Sequence, residues 1–195
     1  MDSPGQLGAV AERLLSAWAQ DHRLHTLSTP AGAPASAAAL PDMLLERFEL
    51  HEAVSEPLRL TLQVLMPDAH VPLKRLCGQA ISLRTQLADG QHTERSGLIT
   101  EARALHADGG FARKSLTVQP WIALLGHTLA SRVWQDRSVI DIVDDVFALH
   151  PGLAVWRWDE GVPDHVAQGL FASRGGRRAY CVQHRESDLD FVQRL

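Results

Sequence analysis

Between Leu58 and Met66 apolar and polar positions alternate almost without a break. Leu58, Leu60, Leu62, Val64 and Met66 fall on one face and Arg59, Thr61 and Gln63 on the other. A period of two over this length predicts a half-buried antiparallel strand. Leu44, Phe48 and Leu50 are in the same phase ahead of it, and Ile81, Leu83, Thr85 and Leu87 repeat the pattern behind it. Ala88-Asp89-Gly90 then supplies a tight turn, and the chain returns through Thr93–Leu105 with a bulge expected at Gly97. Asp108-Gly109-Gly110 turns it again into a strand carrying Leu116 and Val118, which Pro120 ends because it has no N–H to give to a ladder.

Elsewhere the period is that of a helix. Leu7, Val10, Ala11, Leu14, Leu15 and Trp18 paint one helical face near the start of the chain. Arg23–Thr29 reads as extended, and Thr29–Asp42 as a flexible loop, since its Pro, Gly, Ser and Ala bury too little apolar surface to offset the entropy of ordering. Beyond Pro120 two helices are expected. The first carries Trp121, Leu124, Leu125, Thr128 and Leu129. The second is capped by Ser138 with Asp141 three residues on, and has Val139, Ile142, Val143, Val146 and Phe147 as its stripe. His150-Pro151-Gly152 stops it. Strands are expected at Leu153–Trp158, where Trp156 and Trp158 would share a face, and at Ala179–His184. A last helix starts at Ser187 with Asp190 in the capping position. Its stripe of Leu189, Val192 and Leu195 reaches the final residue without a C-cap signal, the pattern expected of a truncated chain.

Composition narrows the function classes. Of 195 residues, 45% are hydrophobic and 22% charged, which suits one or two globular domains. The longest apolar runs are too short for a membrane-spanning helix, and the first residues lack the basic start of a signal peptide, so cytoplasmic synthesis is expected. A net charge of −4 argues against nucleic acid as a partner. Cys77 and Cys181 have no ligand spacing and read as buried, reduced thiols.

Candidate chemistry is sparse. The ten histidines make no H-x-x-x-H or H-E-x-x-H pattern. Only His22 and His25 could share a helical turn, and they lie where the chain reads as extended. No nucleophile elbow is present. Carboxylates cluster at Asp141, Asp144 and Asp145 and at Glu186, Asp188 and Asp190, each early in a helix, where negative charge meets the positive end of the dipole. Ser173-Arg174-Gly175-Gly176-Arg177-Arg178 lacks a phosphate-loop pattern and reads as a solvated hairpin arm.

An ordered series of blocks carries a resemblance. It runs Arg47-Phe48-Glu49-Leu50, Ser55-Glu56-Pro57-Leu58, Leu76-Cys77-Gly78, Asp108-Gly109-Gly110, Gln119-Pro120-Trp121, Ser131-Arg132-Val133-Trp134-Gln135-Asp136, and Val182-Gln183-His184-Arg185-Glu186-Ser187-Asp188-Leu189-Asp190-Phe191. Over about Met43 to Leu195 the chain resembles the N-terminal region of VgrG proteins, the valine-glycine repeat spikes of type VI secretion systems, related to the baseplate hubs of contractile phage tails. It departs from their pattern at Leu58, where Phe is common, and at Lys114, where an aromatic residue follows the turn.

The resemblance implies a β-rich α+β fold: an antiparallel β-barrel-like hub domain with a helical insertion and a partial second domain. The expected organisation is an N-terminal helix and Ala/Pro/Gly-rich loop over 1–42, the barrel over 43–120 and a helix-rich second subdomain over 121–195. It further implies a structural role without catalytic, cofactor-binding or metal-ligating residues. Expected partners are two further copies in a full-length homotrimer, the hexameric secretion tube, baseplate proteins, and effectors or adaptors. Assembly would be cytoplasmic, with export through the apparatus. The alternatives are the hub of a phage tail or tailocin, and a small hydrolase with Ser187 or Cys181 as nucleophile and His184 as base, for which no orienting third group or oxyanion hole is signalled.

Overall fold

A computed structural model describes residues 23–30, 40–108 and 111–195. The helix expected over Leu7–Trp18, most of the following loop, and the Gly109–Gly110 turn lie outside the described residues. The chain divides into two compact units, one ending at Pro120 and the other running from Trp121 to Leu195.

The first unit is one six-stranded antiparallel sheet. Its strands are β1 (His25–Ser28), β2 (Leu44–His51), β3 (Arg59–Met66), β4 (Ala80–Gln86), β5 (His92–Asp108) and β6 (Phe111–Gln119), in the spatial order β1-β4-β5-β6-β3-β2. The alternation in β3 does what its period requires: Leu60, Leu62, Val64 and Met66 are fully buried. They pack with Leu45, Ile81, Leu83, Ile99, Leu116 and Val118 in a single core. The sheet curls until its two edge strands meet through side chains. The Arg23 guanidinium donates to the Leu45 carbonyl over 3.1 Å, and the His25 ring stands edge-on to Phe48 with centroids 4.8 Å apart. The barrel thus has a seam without a backbone ladder.

Gly97 is not a bulge: it stays in register opposite Ile81. It is required because β5 runs so close to β6 that a Cβ there would sit 2.5 Å from the Gln119 carbonyl oxygen. The register of β5 instead shifts between Ile99 and Glu101 and again between Ala104 and Ala107, which adds the local twist a curling sheet needs. Leu87 is exposed, because β4 ends at Gln86 and the turn has begun: Leu87 accepts from the Gly90 N–H and donates to Gln91. A short helix, Leu73–Leu76, interrupts the β3–β4 connection and buries Leu76. Cys77 beside it is exposed, contrary to expectation, whereas Cys181 is buried; both are free thiols.

The second unit contains a long strand pair, one member of which covers the strand expected at Ala179–His184 and the other of which begins at Leu129, expected on a helix. Trp121–His127 is a 3-10 helix, and Leu129 opens β7 (Leu129–Ser138), which pairs antiparallel with β8 (Arg177–Ser187). The helix Val139–Phe147 has the capping box read from sequence. Ser138 Oγ accepts from the Asp141 N–H, and the Asp141 carboxylate accepts from Ser138 N–H. Its stripe of Ile142, Val143, Val146 and Phe147 forms the core with Leu125, Cys181 and Phe191.

Residues 153–158 are not a strand. The alternation there is local, with Leu153 and Ala154 both donating to the His150 carbonyl. A helix at Val162–Gln168, preceded by Gly161 and buried nowhere, is additional to expectation. The final helix, Asp188–Gln193, buries Asp188 and Phe191, while Leu189, Val192 and Leu195 are only half-buried.

Candidate functional site

The second unit is held by a buried polar clasp assembled from two of the sequence blocks. On β7, alternation sends Ala130, Arg132 and Trp134 to the inner face. On β8, Cys181 and Gln183 face the same way. Register sets Arg132 opposite Gln183 and Trp134 opposite Cys181. The chain then enters its last helix, whose first residue, Asp188, is fully buried.

Arg132 Nη1 donates to Asp188 Oδ1 over 2.7 Å and to Gln183 Oε1 over 3.0 Å, while Nη2 reaches Asp188 Oδ2 at 3.4 Å. Gln183 completes the triangle by donating from Nε2 to the same Asp188 oxygen at 2.7 Å and to the Glu186 carbonyl at 3.3 Å. Burial works to raise the Asp188 carboxyl. The hydrogen bonds from Gln183 and Arg132, together with the Arg132 charge, outweigh it and hold the group below the usual carboxylate range. His150, at the end of the Val139–Phe147 helix, brings Nε2 to 3.6 Å from the second oxygen.

Around the triangle each acidic residue has a mechanical task. The Ser187 hydroxyl accepts from the Asp190 N–H at 3.0 Å and donates to its carboxylate at 2.6 Å, which caps the last helix. Glu186 is clamped by Arg194, whose hydrogen bond holds its carboxyl below the usual carboxylate pKa. Phe191 lies between the stacked Trp134 ring, 5.0 Å away at 12°, and the Arg194 guanidinium, also at 5.0 Å. Asp144 and Asp145 anchor indoles: Trp156 and Trp158 both donate to Asp144 Oδ1 at 2.9 Å, and Trp134 donates to Asp145 Oδ2 at 3.1 Å. Trp156 and Trp158 therefore converge on one carboxylate and do not share a strand face.

Three non-glycine residues of the blocks are left-handed: Ser55, φ +64°, in the first unit, and Arg185 and Asp136 in the second. Arg185, φ +49°, is the extra residue where the β7–β8 register shifts, and its N–H donates to Ser131 Oγ at 3.1 Å. Asp136, φ +53°, holds Arg174 at 3.5 Å and Arg177 at 3.6 Å. The Ser173–Arg178 stretch is therefore tied down and not a free solvated arm. Arg178 donates to the Leu195 carbonyl at 2.7 Å, and Gly176 packs so tightly that a Cβ would meet the Val166 carbonyl at 2.7 Å.

The hydrolase candidates do not assemble. Ser187 is consumed by its cap, Cys181 faces inward beside Arg178, and His184 is exposed on the opposite face of β8. His25 meets Thr85, with its Nδ1 3.0 Å from the hydroxyl, and His22 lies outside the described residues. No group of three metal-ligating side chains occurs among the described residues, nor any helix long and apolar enough to cross a membrane. Arg132, Gln183 and Asp188 were missed as a unit by pattern reading. Their signal lay in two separate blocks, with Arg132 51 residues from Gln183 and 56 from Asp188.

The family model for the phage tail baseplate hub (GPD) matches residues 51–195. The chain belongs to the phage tail baseplate hub family. Both the curled sheet from β3 onward and the whole clasp fall inside the matched region. Among individual hub relatives, the type VI secretion system spike protein VgrG1b of Pseudomonas aeruginosa is 32% identical over 180 residues, 92% of this chain and 22% of that protein. VgrG1c of the same organism is 29% identical over 194 residues, 98% of this chain and 24% of its own length. The chain thus spans about a quarter or less of these relatives. In fold it is similar to the E. coli c3393 protein, a type VI secretion component with structural similarity to the T4 tail proteins gp27 and gp5. The TM-score is 0.55 at 17% identity, covering 77% of this chain and 42% of that one.

Proposed function

We propose that this chain is the hub segment of a VgrG-like type VI secretion spike, a structural part with no catalytic role. The carrying observation is the 32% identity to VgrG1b over 92% of the chain, which runs through both compact units. Residues 43–120 act as the barrel of the hub and 121–195 as the start of its second subdomain. In a full-length spike the segment sits in a homotrimer, stacks on the hexameric tube, and works with baseplate proteins and effectors or adaptors. It assembles in the cytoplasm and leaves through the apparatus. The engagement of Ser187, Asp188 and Asp190 in holding the fold supports a non-catalytic reading.

The test is a chimera in which this chain replaces the aligned segment of VgrG1b in Pseudomonas aeruginosa. Export of the chimera to the medium, dependent on a working apparatus, is expected. A chimera that accumulates stably in cells and is never exported overturns the proposal. The hub family's phage description favours one other reading, a tail or tailocin hub, and co-sedimentation with contractile tail particles in place of export would select it.

A further inference from the structure

The core of the barrel contains a lysine. Lys114 lies on the inward face of β6, between Ala112 and Leu116 in the alternation, and is 2% exposed. Its register neighbours are Val64 on β3 and Ala104 on β5. The ammonium donates to the backbone carbonyl of Val71 over 2.6 Å, 43 residues away. Desolvation favours its neutral form, with Asp68 opposing weakly. An apolar side chain would fill this site without that cost, so the lysine must be read by what it holds.

It holds the β3–β4 connection, residues 67–79. This segment inserts Leu76 into the core and packs Val71 and Leu73 against it. Its two ends are attached differently. At the β4 end, the Gly78 N–H donates to the Ile99 carbonyl at 2.8 Å and the Ile99 N–H to the Gln79 carbonyl at 2.9 Å. Within the segment the bonds are local, from Arg75 to Pro72, Cys77 to Leu73, Gln79 to Leu76, and His70 to the Asp68 side chain. Along 67–77 the Lys114 bond is the one hydrogen bond reaching across the fold among the described residues.

We propose that Lys114 is an internal strap: it holds the 67–77 plug closed over the barrel interior, and the plug opens about the Gln79–Ile99 hinge while the six-stranded sheet stays intact. Charge-assisted hydrogen bonds of this kind hold local closure by roughly ten- to a hundredfold in equilibrium. The plug therefore has its own opening equilibrium, separate from global unfolding.

The experiment is hydrogen exchange on the full chain, comparing wild type with Lys114→Met, which preserves length and apolar volume. Expected is roughly ten- to a hundredfold faster exchange at the Leu73–Cys77 amides, with β3 and β6 amides as protected as before or more so. Unchanged plug exchange, or equal acceleration across the sheet, overturns the strap. Should Lys114→Met fail to fold, wild type gives the same answer through amine acylation under graded urea. Lys74 and Lys114 are the chain's lysines, and exposed Lys74 is the internal reference. Acylation of Lys114 at a rate insensitive to low urea supports local opening. A rate that tracks global unfolding overturns it.

Discussion

Asp188→Ala removes the acceptor at the centre of the clasp. Arg132 keeps its guanidinium between the strands without the carboxylate it was bonded to at 2.7 Å, and the Gln183 amide loses its shorter acceptor, keeping the Glu186 carbonyl at 3.3 Å. Breaking a buried pair from one side costs about 3–5 kcal/mol, because the orphaned charge stays desolvated. The Arg132 side chain is 29% exposed, so water screens part of that charge, and about 2–4 kcal/mol remains. With a urea slope of about 1 kcal/mol per molar for so small a unit, the midpoint falls by about 2 M or more. Tryptophan fluorescence reads this directly. Trp121, Trp134, Trp156 and Trp158 all lie in the second unit, and a Trp18→Phe background removes the remaining indole. The double variant Arg132→Met/Asp188→Leu, which replaces the pair by apolar groups, is expected to recover most of the loss. A midpoint shift below about 0.5 M, or strict additivity in the double variant, would refute the clasp as the element holding this unit together.

Three further outcomes follow from the geometry. Gly97→Ala places a methyl group 2.5 Å from the Gln119 carbonyl, which is backbone and cannot swing aside; a loss of about 2 kcal/mol or more is expected by circular dichroism melting. Arg185→Gly relieves a left-handed φ of +49°, and after the entropy cost of glycine it should stabilise the second unit by about 0.5–1 kcal/mol in urea titration. In acid, Asp188, Glu186 and Asp141 all have carboxyl pKa values lowered by folding. The unfolded chain therefore takes up protons first, so their stabilisation is complete above the ordinary carboxylate range and disappears as pH falls through the lower folded values. Tryptophan emission should red-shift over that acidic window, and no change between pH 7 and pH 5 is expected.

The barrel was legible because its strands are half-buried. A strand with one wet face writes its geometry into the alternation of residues 58–66, and the turn at Ala88-Asp89-Gly90 writes the reversal. The second unit was less so, because the inner face of its strand pair carries the polar Arg132 and Gln183. In β7 the buried phase is Ala130, Arg132 and Trp134, and an arginine in that phase reads as surface until its carboxylate is known. The Leu153–Trp158 stretch misled for the opposite reason: its alternating tryptophans look like a strand, but their indole N–H groups bind Asp144. The helix Val162–Gln168 buries no side chain and so leaves no periodic trace. The capping box at Ser138 and the N-cap at Ser187 were readable because a cap is a contact between residues three apart.

The strand order also sets a timetable for synthesis. β2 can pair with β3 as soon as both have left the ribosome, since they adjoin in sequence. β1 emerges earlier than either, but its ladder partner is β4, with His25 opposite Thr85. The other edge of β3 waits for β6, whose Leu116 pairs with Leu62. At about 5–20 residues per second these delays amount to roughly 3–12 s. During that interval a nascent hairpin carrying Leu60, Leu62, Val64 and Met66 has its apolar face and one strand edge uncovered. The residue threatened by crowded polysomes is therefore not at the mature surface but at the centre of the finished barrel.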